Sequence, residues 1–224
     1  MNIKALALGA AMAFGLGLGA ASAGTIYVQT TPAGAQALFA PSDTLDFEGV
    51  AAGVYSSLTQ GVLTFTSNSG ALHVDADYAG QYNNFGQRSV HSCYCGDSFG
   101  ALYFDFSQAL EGFGFFWGAS DNQWNLSAYD ASNTLLESFN LPITYASNAG
   151  DFVGIFGHGI THAVLSGPAS DYVFVDNVTF GAQYVGPGAD PTVPEPATWA
   201  ILLLGFFGTG AVLRTHRRAA IATA

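Results

Sequence analysis

The chain has 224 residues, 50% of them hydrophobic and only 9% charged, with a formal net charge of −11. Its five basic residues are Lys4, Arg88, Arg214, Arg217 and Arg218, so the stretch from Gly24 to Val193 sets Arg88 alone against fifteen of the sixteen acids, a net charge of −14. Nucleic-acid binding draws most of its affinity from Lys and Arg neutralising phosphates, and such a surface repels phosphate, so nucleic acid is excluded as a partner.

At the amino end, Lys4 precedes an apolar stretch from Ala5 to Ala20, and Ala21-Ser22-Ala23 supplies the small residues of a cleavage site. Residues 1–23 therefore predict a secretory signal peptide that is absent from the mature protein. The body, residues 24–185, has the length of one ordinary domain. It is rich in Gly, Ser, Asn and aromatic residues and shows no capped stretch of period 3.6, so few helices are expected. Short alternating runs bounded by turn residues predict an all-β fold, an antiparallel β-sandwich. The expected strands are Thr25 to Gln29, Thr44 to Glu48, Val62 to Ser67, Ala71 to Asp75, Ala101 to Phe106, Gly112 to Trp117, Asn125 to Asp130, Leu135 to Asn140, Phe152 to Phe156, Ala163 to Ser166 and Tyr172 to Phe180.

Strand alternation says which side chains face inward. In Leu102-Tyr103-Phe104-Asp105-Phe106 the apolar residues share one face and leave Tyr103 and Asp105 on the other. In Tyr172 to Phe180 the row Tyr172, Phe174, Asp176, Val178, Phe180 is apolar except for Asp176. An ionised carboxylate in such a row needs a partner, because desolvating it alone costs several kcal/mol. Phe113, Phe115 and Trp117 alternate along one strand and read as core.

Beyond the body, residues 186–193 form a Gly- and Pro-rich linker. Val193-Pro194-Glu195-Pro196 follows, then an uncharged run over residues 197–213, then Arg214-Thr215-His216-Arg217-Arg218. Seventeen helical residues at about 1.5 Å each span roughly 25 Å, enough to cross a thin hydrocarbon core, and the arginines behind them are expected to stay in the cytoplasm. Pro194-Glu195-Pro196, one spanning helix and the basic cluster Arg214, Arg217 and Arg218 resemble the PEP-CTERM sorting signal of Gram-negative bacteria. That resemblance covers residues 194–218. It implies that the precursor is held in the inner membrane, that an exosortase recognises the motif and processes the tail, and that the product is associated with exopolysaccharide or biofilm matrix.

The body carries a more diffuse resemblance. Leu45-Asp46-Phe47-Glu48-Gly49, Gly61 to Ser67 and Val175-Asp176-Asn177-Val178-Thr179-Phe180-Gly181 look like segments of PEP-CTERM proteins. The first and last of them also look like strands of lectin-like jelly rolls and carbohydrate-binding modules. There, first and last strands lie side by side and often hold a structural Ca²⁺. By that resemblance Glu48 and Asp176 are the expected calcium ligands, with Asp46 or a backbone carbonyl adding oxygens. Calcium also suits fifteen carboxylates facing a single arginine outside the cytoplasm. The alternative is that Asp46, Glu48 and Asp176 cap turns or are solvated, and Asp75-Ala76-Asp77 reads as a solvated turn.

Other motifs point less far. An oxidising compartment favours pairing Cys93 with Cys95, although residues i and i+2 of an extended strand lie about 6.5 to 7 Å apart, which would strain the disulfide. Intermolecular pairing ranks second and a metal site of His91, Cys93 and Cys95 third. His158-Gly159-Ile160-Thr161-His162 has the i, i+4 spacing of a zinc protease, but it lacks the glutamate and the helix that make the two imidazoles converge. Trp124 sits in a polar loop, so Trp124 and Asn125, with Tyr94, form a candidate sugar-binding face, the alternative being an indole folded back to cap the sandwich. The body has no Gly-x-Ser-x-Gly elbow, P-loop or Rossmann glycine pattern. The expected function is that of a non-catalytic exported protein of the envelope or matrix. A carbohydrate-binding module is the first alternative, and a secreted hydrolase, for which the fifteen acids offer many possible pairs, is the second.

Overall fold

A computed structural model describes residues 23–91 and 99–187. The expected signal peptide up to residue 22, Cys93, Tyr94, Cys95, the sorting motif and the basic cluster lie outside the described residues. Among the described residues no helix is long and apolar enough to cross a membrane.

The secondary structure runs β1 (Gly24–Gln29), α1 (Pro32–Gln36), β2 (Ser42–Leu45), β3 (Gly53–Tyr55), β4 (Leu58–Gln60), β5 (Leu63–Ser67), β6 (Leu72–Asp75), β7 (Ser89–His91), β8 (Phe99–Gly118), β9 (Asn125–Tyr129), β10 (Leu135–Asn140), β11 (Asp151–Pro168) and β12 (Phe174–Gly181). Among the described residues every strand pairing is antiparallel. The short helix α1 starts at Thr31, whose side chain accepts from the Gly34 N–H, with Pro32 in the first turn where no donor is lost.

Two strands organise the sandwich. β8 and β11 pair along most of their length, with register shifts between Phe156 and His162 that bend both. Each strand thereby enters both layers. In one layer the early part of β8 and the late part of β11 are flanked by β5 with β4 and by β9 with β10. In the other, the late part of β8 and the early part of β11 are flanked by β1 and by β12 with its partners. Gly157 (φ 157°) and Gly159 (φ 85°) sit at the bend, where the sequence suggests a turn separating two strands.

The main core fills the space between the layers. Phe104 of one layer meets Phe113 and Phe115 of the other at ring-centroid distances of 5.7 and 5.4 Å, and Trp117 meets Trp124 at 5.7 Å. Phe113, Phe115 and Trp117 are fully buried, as their alternation predicts. Phe116, on the opposite face of β8, joins a second core with Ile26, Phe39, Phe152 and Tyr184, covered by α1 and the segment that follows β12. This strand is apolar on both faces because both faces are covered.

β12 changes its outer partner partway. Phe174 and Val175 pair with β7, whereas Val178 to Gly181 pair with β2. Between them Asn177 adopts φ 46° and the register with β8 shifts. The early and late segments singled out by sequence thus do lie side by side, and Asp176 occupies the gap between β2 and β7.

Candidate functional site

The loops that follow β6, β8, β10 and β11 enclose an open cleft of about 370 Å³. Its walls are Tyr78 and Tyr82 from the first loop, Ala119 and Asp121 from the second, Tyr145 from the third, Asp171 and Tyr172 from the fourth, with Phe174 at its edge. Tyr78 is 50% and Tyr145 61% exposed, large values for aromatic rings. Tyr78 stands near Tyr82, Tyr172 and Phe174, with ring centroids 5.3, 6.3 and 5.9 Å away.

The backbone around this cleft is held in unusual conformations. Tyr78, Tyr82, Asn83, Ala119 and Tyr145 all have positive φ, between 47° and 61°. For residues bearing a Cβ each such conformation costs of order 1 kcal/mol and persists only where the surroundings impose it. Three networks hold the Tyr82, Ala119 and Tyr145 segments. Asn83 donates to Asp151 Oδ2 and to the Trp117 carbonyl, both at 2.9 Å, and its Oδ1 accepts from the Gly150 N–H at 2.7 Å. Asp151 also accepts from Ser147, Gln29 and Tyr27, so one carboxylate ties the Tyr82 loop to the Tyr145 loop. Burial by itself raises the Asp151 pKa, but these hydrogen bonds outweigh it and hold the carboxyl below its ordinary value. Ser120 and Thr144 exchange hydrogen bonds, and the Ser120 carbonyl accepts from the Tyr145 N–H. Asp171 accepts from the N–H groups of Asp121 and Asn122 and from Trp124 Nε1 at 2.8 Å.

That last bond corrects one expectation. Trp124 is 1% exposed, with its indole in the core against Trp117 and its Nε1 committed to Asp171, so it has no free face for a sugar. A Cβ on Gly167 would lie 2.3 Å from its ring, which is why that position is glycine. Asn125 lies on β9 in a surface network with Asn140, Ser127 and Ser138 and does not line the cleft. The tyrosines that do line the cleft carried a readable signal: Tyr78 to Asn84 and Tyr145 to Asn148 are aromatic residues inside Gly-, Asn- and Ser-rich turn segments.

The expected calcium ligands are divided. Asp176 is fully buried; its Oδ2 accepts from the Phe85 N–H and its Oδ1 from the Asn177 N–H, both at 2.7 Å. Glu48 Oε1 accepts from the N–H groups of Gln87 and Arg88, in the same loop. Burial chiefly, with the nearby Glu48 charge, pushes the Asp176 carboxyl up to about 8 despite these bonds. Asn84 Oδ1, next to Phe85, is buried without a hydrogen-bond partner among the described residues. Asp176 buried beside the Glu48 charge is an electrostatic setting that an oxygen-ligated cation such as Ca²⁺ would neutralise. Asp46 is exposed and caps the Glu48 N–H, and it does not converge with Glu48 and Asp176 as a compact trio.

The histidines also separate. His158 is exposed and pairs with Glu111, while His162 stacks on the Tyr129 ring at 5.0 Å; both lie on β11, not on a helix. Among the described residues the compact trio of potential metal ligands is His73, Asp75 and His91, whose ligand atoms all lie within 4.8 Å of one another.

No family model matches the chain, and no curated protein matches it. Among solved structures it is similar to TmCBM61 in complex with beta-1,4-galactotriose, at 15% identity and a TM-score of 0.31 over 54% of this chain and 88% of that one. It is also similar to the family 11 carbohydrate-binding module of the cellulase Lic26A-Cel5E of Clostridium thermocellum, at 12% identity and a TM-score of 0.26, covering 65% of this chain and 97% of that one. The catalytic unit of a GH87 alpha-1,3-glucanase from Streptomyces thermodiastaticus aligns at 11% identity and a TM-score of 0.34, over 69% of this chain but only 28% of the glucanase. With TM-scores this low, the likenesses decide neither fold nor function.

Proposed function

We propose that the body is a non-catalytic carbohydrate-binding domain and that the loop-end cleft is its sugar site. The observation that carries this reading is the cluster of tyrosines: Tyr78 and Tyr145 expose half or more of their surface, both adopt the costly left-handed region, and the neighbouring Ser120 loop holds Tyr145 there. Aromatic faces stack on the apolar faces of pyranose rings, and phenol hydroxyls with Asp121 and Ser170 supply hydrogen bonds to sugar hydroxyls. A small apolar ligand would not need this polar rim. The non-catalytic part of the reading is supported by Asp171, whose carboxylate is occupied in holding the second loop and so serves as a strut. We also propose that the protein is exported and sorted through Pro194-Glu195-Pro196 by an exosortase, with exopolysaccharide as the natural ligand class; the support for this part is the sequence of the tail.

Affinity electrophoresis and calorimetry against soluble galactans, glucans and exopolysaccharide test the site. Tyr145→Ala and Tyr78→Ala are each expected to weaken binding about tenfold, equivalent to about 1.4 kcal/mol, while His162→Ala, outside the cleft, leaves it unchanged. Retention of full affinity by both tyrosine variants, or binding to none of the polysaccharides, overturns the assignment. Release of reducing ends from any of them overturns the non-catalytic reading.

A further inference from the structure

Beside the cleft, strands β6 and β7 place polar side chains together on one face. The register pairs His73 with His91 and Asp75 with Ser89, while Leu72, Val74 and Val90 point into the core. His91 Nε2 lies 2.8 Å from Asp75 Oδ2 and 3.0 Å from the Tyr172 hydroxyl, and the His73 and His91 ring centroids are 5.0 Å apart. The other oxygen of Asp75 accepts from the Asp77 N–H at 2.9 Å, which fixes the orientation of the carboxylate. Ser89 Oγ, on the same face, is fully buried and has no hydrogen-bond partner among the described residues.

From this geometry we infer that His73, Asp75 and His91 form a site for a divalent transition metal of the zinc class, independent of the Glu48 and Asp176 pair. Two imidazoles and one carboxylate are a borderline donor set that suits Zn²⁺ and leaves a fourth position for water. Around a tetrahedral ion with bonds of about 2.0–2.1 Å, neighbouring donor atoms stand roughly 3.3 Å apart. The 2.8 Å between His91 and Asp75, and the 4.8 Å that encloses all three ligand atoms, need only small adjustments to reach that shape. The Asp77 N–H on Asp75 is the kind of outer contact that orients a metal ligand. Half-buried His73 and Asp75 leave an entry path, whereas His91 anchors the site from inside. When the ion takes His91 Nε2, the Tyr172 hydroxyl keeps Asp77 Oδ2, 3.3 Å away, as an acceptor. Tyr172 also lines the cleft, so the metal sits one side chain away from the proposed sugar site.

The test uses the full chain carrying Cys93→Ser and Cys95→Ser, which removes the thiols as competing ligands. After dialysis against a chelator, calorimetric titration with zinc chloride is expected to show one equivalent bound, and cobalt chloride to give the visible absorption of tetrahedral Co²⁺. His73→Ala and Asp75→Asn are each expected to lower zinc affinity at least tenfold, with circular dichroism confirming the fold, and His158→Ala to leave it unchanged. Absence of zinc binding in the thiol-free chain, or binding that both His73→Ala and Asp75→Asn retain in full, overturns the site. Loss of polysaccharide binding with zinc binding intact leaves it standing.

Discussion

Asp151 does for the cleft what a cross-brace does for a frame. Its carboxylate collects donors from Tyr27 and Gln29 on β1 and from Asn83 and Ser147 on two loops, and it is 2% exposed. Because its pKa is held below the ordinary value, the native state favours the ionised form more than the unfolded chain does. The stability this confers is present above about pH 4, near the unfolded pKa, and is lost as pH falls through the depressed folded value. Asp151→Asn places an amide against these donors and is expected to cost about 1–3 kcal/mol at neutral pH, and to flatten the acid limb of a melting-temperature profile below about pH 4. An unchanged acid limb would show that the carboxylate is not the group responsible. Sequence alone does not reveal this role, because Asp151 follows Gly150 in what reads as a turn and its partners lie up to 124 residues away. The buried state of Asp176 was legible for the opposite reason: its neighbours at two-residue spacing are apolar.

At the level of elements, local alternation predicts β5, β9 and β10 closely, and it finds both ends of β8 and β11 while breaking each strand in two. The break is physical. At the bends, Gly157, His158 and Gly159 carry the composition of a turn, yet pairing between β8 and β11 continues on both sides of it. The short strands β3, β4 and β7 have three residues each, too few to display a period, and exist through the partners that tertiary folding brings. The end of β8 also sets the cleft. A Cβ on Gly118 would lie 1.6 Å from the Tyr82 carbonyl oxygen, so the strand end and the tyrosine loop touch backbone to backbone. Gly118→Ala is therefore expected to push the Tyr82 loop outward and lower polysaccharide affinity at least tenfold, with far-ultraviolet circular dichroism preserved. Gly49→Ala, where a Cβ meets nothing within 4 Å, is the control expected to keep both. Equal affinity in the two variants would separate the loop position from binding.

For the molecule as a whole, the excess of acid is the property that sequence shows first and the fold answers only in part. Among the described residues the ion pairs formed by acids are with His91 and His158, and Arg88 gives its guanidinium to the Gln87 carbonyl. Most carboxylates are therefore met by backbone N–H groups or solvent, and the buried Asp176 beside Glu48 is the place where that arrangement strains most. With its pKa pushed up to about 8, metal-free Asp176 holds a proton in the native state that the unfolded chain releases near pH 4. Metal-free stability is thus fullest below about pH 4 as far as this group is concerned, and declines as pH rises toward and through 8. A calcium ion held between Asp176 and Glu48 in place of the proton would remove that decline. Melts of the full chain at pH 5.5 and 8.5, with chelator or with calcium, put this to the test. Calcium at a hundred times its dissociation constant adds about 2.7 kcal/mol, which for a chain of this size is a midpoint rise of roughly 2–4 °C per kcal/mol. The rise is expected to be larger at pH 8.5 than at pH 5.5 and to disappear in Glu48→Gln. A calcium effect that survives Glu48→Gln moves the ion elsewhere among the acids, and identical melts with chelator and calcium at both pH values leave the pair held by its backbone donors alone.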